Sequence, residues 1–131
     1  MKKLLLPILS ILLIVVATDS CKTKCDSYDL DLYHSWTVLQ TDSEGLQFNV
    51  ELRFNTDNTY DWILLDQAEG HSNSHAEFNL DDNLMTITSD ADCGGPGEYY
   101  LTVEAGKLAI MAKTEACEPR ANALEWVWKR K

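Results

Sequence analysis

Gln47-Phe48-Asn49-Val50-Glu51-Leu52-Arg53-Phe54, then Asn55-Thr56-Asp57-Asn58, then Thr59-Tyr60-Asp61-Trp62-Ile63-Leu64-Leu65 is the stretch that decides the fold. Phe48, Val50, Leu52 and Phe54 face one way along an extended chain and polar residues face the other. This is the period-two pattern of a strand with one dry face and one wet face. The Asn and Asp side chains of residues 55–58 bond readily to local backbone and mark a turn. Tyr60, Trp62 and Leu64 then resume the alternation, which makes the stretch a hairpin.

Outward from this hairpin the same pattern predicts strands at Ser35 to Thr41, Ser74 to Leu80, Leu84 to Ser89, Glu98 to Glu104, Lys107 to Lys113 and Leu124 to Arg130. The intervening turns are Asp42 to Gly45, Asp81-Asp82-Asn83, Asp90 to Gly97, Ala105-Gly106, and Thr114 to Asn122, with Asp66 to Asn73 the most mobile loop. About eight short strands joined mostly by tight turns form an up-and-down meander. Closing on itself hides every apolar face and both edges, so the expected fold is all-β, a single antiparallel barrel. At that strand number the interior is packed or holds one small ligand.

The beginning of the chain sets the compartment. Lys2 and Lys3 precede a 14-residue apolar run from Leu4 to Ala17, then Thr18, Asp19, Ser20 and Cys21. A membrane-spanning helix needs about 20 apolar residues, so the run reads as a cleaved signal over residues 1–20. Small residues before Cys21 resemble the bacterial lipoprotein pattern, which implies lipidation of Cys21; ordinary cleavage after Ser20 or Ala17 is the alternative. Residues 21–29 are then a polar tether and residues 30–131 the barrel domain, at the cell envelope, in the periplasm or on the outer surface.

Removing residues 1–20 leaves 111 residues, enough for one core and no second domain. Nine basic against twenty acidic residues give that segment a net charge of −11. Such a charge repels phosphate backbones, so nucleic acid is not a partner. The expected partners are a small apolar ligand and the membrane, through the lipid; the domain is expected to be a monomer.

Disulfides persist outside the cytoplasm. With Cys21 lipidated, Cys25, Cys93 and Cys117 remain, and Cys93 pairs best with Cys117 because both lie in turns flanking two predicted antiparallel strands. A bridge closing 24 residues stabilises by roughly 3 kcal/mol through the unfolded state. Cys25 is then a free tether thiol. If Cys21 is not lipidated, it bridges Cys25 or either of them captures a core cysteine.

Three local stretches resemble the lipocalin-like, or calycin, barrels, in particular small exported bacterial ones. His34-Ser35-Trp36 stands where the family has Gly-x-Trp, Leu52-Arg53-Phe54 to Asn58-Thr59-Tyr60 resembles its strand, turn and Thr-Tyr hairpin, and Cys117-Glu118-Pro119-Arg120 with Trp126-Val127-Trp128-Lys129-Arg130 resembles its closing segment. The resemblance covers Leu30 onward. It implies that Trp36 seals one end of the barrel under an arginine, either Arg120 or Arg130, and it carries ligand carriers, enzymes and inhibitors alike.

No residue set specifies catalysis. Gly-x-Ser-x-Gly is absent, and the i, i+4 pair His71 and His75 falls in a loop-to-strand pattern without a third ligand, so no metal site or cofactor is expected. His34, His71 and His75 keep a barrel enzyme open only as a third class. Asp81, Asp82, Asp90 and Asp92 lack calcium-loop spacing, and Gly94-Gly95-Pro96-Gly97 lacks the following helix of a phosphate loop. Of the aromatic residues, read chiefly as core, Phe48, Tyr60, Trp62, Tyr99 and Trp126 are the candidates to line a pocket for an apolar ligand. The leading expectation is therefore a lipid-anchored, non-catalytic binder of a small apolar molecule. The alternative is an envelope interaction module or hydrolase inhibitor with a filled barrel, acting through Asp66 to Asn73 and Asp90 to Gly97.

Overall fold

A computed structural model of the chain describes residues 30–131; the signal segment 1–20, Cys21, Cys25 and the tether 21–29 lie outside the described residues. Eight strands run as β1 (Ser35–Thr41), β2 (Gln47–Phe54), β3 (Thr59–Leu64), β4 (Ser74–Asp81), β5 (Leu84–Asp90), β6 (Gly97–Glu104), β7 (Lys107–Thr114) and β8 (Val127–Arg130). Each pairs with its sequence neighbours, and β1 closes on β8, so the sheet is a closed up-and-down antiparallel barrel. Among the described residues no helix is long and apolar enough to cross a membrane.

The alternation of the first hairpin survives with one exception, Glu51, which is 2% exposed on the polar face. Phe48, Val50, Leu52 and Phe54 are all buried, as are Tyr60 and Trp62 opposite them. Register places Leu52 against Trp62 and Phe54 against Tyr60. Around the barrel, Phe78, Met85, Ile87, Leu101, Leu108 and Trp128 complete the interior. Tyr33 and Tyr100 are the exceptions among the described aromatic residues, each 41% exposed, and the Lys113 ammonium lies 5.9 Å from the Tyr100 ring.

One end of the barrel is sealed. Trp36 is fully buried, its indole N–H donates to Leu32 O at 3.0 Å, and the Arg130 guanidinium lies 5.7 Å from the ring centroid. Asp31 holds Arg130 from outside and accepts from His34 at 2.5 Å. Arg130 is thus the arginine over Trp36, and Arg120 lies elsewhere. His34 in place of glycine is accommodated because the positive-φ positions are turn residues such as Asn58, Asp82 and Ala105, not His34; no left-handed backbone is required there.

The other end departs from the expected pattern. The eighth strand begins at Val127 rather than Leu124, and the preceding turn contains a short helix, α1 (Glu118–Leu124). Pro119 in its first turn and acidic Glu118 are ordinary helix-start features. Leu124 plunges into the core at 1% exposure and Arg120 is buried at 4%, and the two side chains fix the helix across the barrel mouth. Cys93 and Cys117 are bonded, with Cα atoms 6.0 Å apart, joining the β5–β6 loop to the N-cap of α1.

Candidate functional site

Helix α1 is clamped from below by side chains of the opposite wall. Gln40 Nε2 donates to Ala123 O at 2.9 Å and Trp62 Nε1 donates to the same carbonyl at 3.3 Å. Gln40 is 3% exposed and occupies an inward phase in β1, after Trp36 and Val38. A polar residue on an apolar phase is the sequence signal for this contact.

Beneath the helix lies a buried ionic cluster. Arg120 donates through Nε to Glu115 Oε2 at 2.6 Å and through Nη2 to Glu115 Oε1 at 2.8 Å, a bidentate pair with both side chains almost wholly buried. Arg120 also reaches Asp90 Oδ2 at 3.4 Å and Gly95 O at 3.2 Å. The Tyr99 hydroxyl and the Cys117 N–H complete the donors around Glu115. Burial pushes the Glu115 carboxyl up, but Arg120, Tyr99 and the Cys117 N–H outweigh it and hold it at about 2. The Glu115 hydrogen bond raises Arg120 against its burial, and burial together with Glu115 drives Tyr99 above its usual range. Gly97 is obligatory beside this cluster: a Cβ there would stand 2.9 Å from Arg120 Nη2 and closer still to Glu115 Oε2. Nothing in the sequence around Glu115 marked it as a partner.

Above the core, between α1 and the loops after β1 and β3, a cleft of about 820 Å³ opens to solvent. Phe48, Trp62 and Trp126 supply its aromatic surface, and Gln40, Asp42, His71, Asp92 and Glu125 lie on its walls. A recess of about 70 Å³ beside it is lined by Tyr60, Trp62 and Arg120. Of the five aromatic residues expected to line a pocket, Phe48, Trp62 and Trp126 therefore meet in the cleft and Tyr60 touches only the recess, where burial, then Asp90, pushes its hydroxyl well above the usual range. Tyr99 lines neither, because Glu115 captures its hydroxyl inside the barrel.

His71 is not a free loop histidine. Its ring lies 4.3 Å from that of Phe48, and Nε2 is 3.1 Å from Asp42 Oδ2. His71, with the N–H groups of Leu46 and Glu44, holds the Asp42 carboxyl below the usual carboxylate range. His75 faces outward and pairs with Asp61 at 2.6 Å, so the two histidines never share a ligand. Among the described residues no group of three or more His, Cys, Asp or Glu is arranged to hold a metal ion. The Asp66 to Asn73 loop is pinned: Asp66 accepts from Asn49 N–H at 2.7 Å, Asn73 accepts from Leu64 N–H at 2.8 Å, and Ala68 is buried.

A closed eight-strand antiparallel barrel, sealed at one end by a Trp–Arg stack and open at the other beside a short helix, is consistent with a lipocalin-like fold. Protein-family models, curated proteins and solved structures all yield no match to the chain.

Proposed function

We propose that this is an exported, lipid-anchored member of the lipocalin-like (calycin) barrels that takes one small, largely apolar ligand in the cleft at the barrel mouth, without catalysis. The observation that carries the reading is the aromatic cleft of about 820 Å³, within the roughly 300–1,000 Å³ of small-molecule sites. The interior below is filled by Phe48, Trp62, Phe78 and Trp128, so the ligand sits on the core rather than within it. The apolar signal before Cys21 supports export and anchoring.

The test is titration with the neutral dye N-phenyl-1-naphthylamine. Saturable one-to-one binding, weakened at least tenfold in Trp126→Ala with an unchanged melting temperature, supports the cleft; binding indifferent to Trp126 refutes it. A second reading, an envelope interaction module or hydrolase inhibitor, is favoured by the filled interior and by Leu39, Met111 and Val127, which stand 50%, 64% and 58% exposed on the outer wall. Capture of a protein partner by a chain that binds no dye would select it.

A further inference from the structure

The chemistry of the cleft walls goes further than its size. Three carboxylates, Asp42, Asp92 and Glu125, line it, and no lysine or arginine does. His71, the one basic side chain there, is paired with Asp42. Asp92 is exposed and engages only its backbone N–H, with Asp90 Oδ1 at 2.8 Å; Glu125 uses one oxygen, which accepts from Ala112 N–H at 2.7 Å. Arg120 adds no positive potential to the recess, because Glu115 and Asp90 neutralise it.

Gln40 supplies an independent observation. The side chain is 3% exposed and its amide nitrogen is spent on Ala123 O. The amide oxygen accepts from no group among the described residues, and it is not one of the sealed, partnerless atoms, of which there are none. Gln40 is also one of the residues that line the cleft. Trp62 and Trp126 line the same surface, and an indole ring attracts a cation placed over its face. Low-dielectric aromatic walls also focus the carboxylate field.

We propose that the cleft selects an organic cation, an apolar or aromatic body carrying a protonated amine whose N–H groups meet Gln40 and whose charge faces Asp92 and Glu125. This rests on the mouth-site reading. An anionic amphiphile such as a fatty acid would face three carboxylates and an acceptor with nothing to offer either.

The experiment compares three probes with one body, 4-phenylbutylamine, 4-phenylbutanol and 4-phenylbutyrate, by calorimetric titration of the whole protein at pH 7 and physiological salt. The amine is expected to bind tightest and the carboxylate weakest. Asp92→Asn with Glu125→Gln, both outside the fold's buried contacts, should weaken the amine by about two- to fivefold per carboxylate, the range for solvent-exposed charge pairs, and leave the alcohol within twofold. Equal binding of all three probes, sensitive to Trp126→Ala, would overturn the cation proposal and leave the mouth site standing. Binding of none would overturn both, and an amine unaffected by the double substitution would overturn the charge argument.

Discussion

Replacing Arg120 by Met keeps the aliphatic volume of the side chain and removes the charge that the buried cluster is built around. Glu115 loses two charge-assisted hydrogen bonds, at 2.6 and 2.8 Å, each worth about 1.5–3 kcal/mol. Two carboxylates are left in place, Glu115 at 2% and Asp90 at 8% side-chain exposure. Breaking one side of a buried pair costs about 3–5 kcal/mol. Protonation sets an independent ceiling: neutralising an ordinary glutamic acid at pH 7 costs about 3.7 kcal/mol, at 1.36 kcal/mol per pH unit above its unperturbed value. Both routes give about 4 kcal/mol at pH 7.

The second figure makes the loss pH-dependent. In Arg120→Met the burial of Glu115, the largest influence on it, is offset only in part by Tyr99 and the Cys117 N–H, so its folded pKa is expected above the unfolded one, and the variant loses stability as pH rises. At pH 5 neutralising the carboxyl costs about 1 kcal/mol, so the deficit against the parent protein shrinks to about 1–2 kcal/mol. Urea unfolding followed by tryptophan fluorescence at the two pH values measures it. Glu115→Gln added to Arg120→Met should recover at least half of the pH 7 loss. A loss below 1 kcal/mol at pH 7, or one that does not shrink at pH 5, would refute the reasoning.

The same measurement checks the remaining predictions. On the outer wall the Lys131 ammonium, 2.7 Å away, and then Arg53 hold the buried Glu51 carboxyl at about 2. A depressed carboxylate stabilises fully above about pH 4.5, and the contribution fades as pH falls toward 2; Glu51→Gln should remove about 1–2 kcal/mol of the acid-side dependence once the exposure of Lys131 is discounted. Substituting Cys93 and Cys117 by Ser together should cost about 3 kcal/mol for the 24-residue loop, read as a lower urea midpoint. At the sealed end, Trp36→Ala should cost about 3–5 kcal/mol, whereas Arg130→Met should cost only about 0.5–2 kcal/mol, the worth of an exposed cation–π contact and of the exposed pair with Asp31.

The barrel was legible because period-two alternation has one physical meaning when it recurs between turns. Strands β1 and β2 were read with the bounds they have, and the other strands before the helix within a residue at either end. The Cys93 and Cys117 pair was legible from the antiparallel geometry around it. Helix α1 was not, since seven residues that bury only Leu124 and the charged Arg120 carry too little apolar periodicity. The site was half legible. Large aromatic residues near the mouth were visible, but which of them meet depends on where α1 crosses, and Tyr99 was diverted by Glu115 through a contact 16 residues away in sequence. His71 and Asp42, 29 residues apart, meet only because two loops fold over the same end.

A small molecule held at the mouth of a filled barrel is the proposed cargo of this protein. Native mass spectrometry of the protein purified from the cells that make it, beside a denatured spectrum of the same sample, tests that claim most directly. The expected result is one non-covalent mass that vanishes on denaturation and is missing from Trp126→Ala, with the denatured chain beginning at a lipid-bearing Cys21. A bare chain under native conditions, accompanied by a co-purifying protein instead of a small molecule, would contradict it.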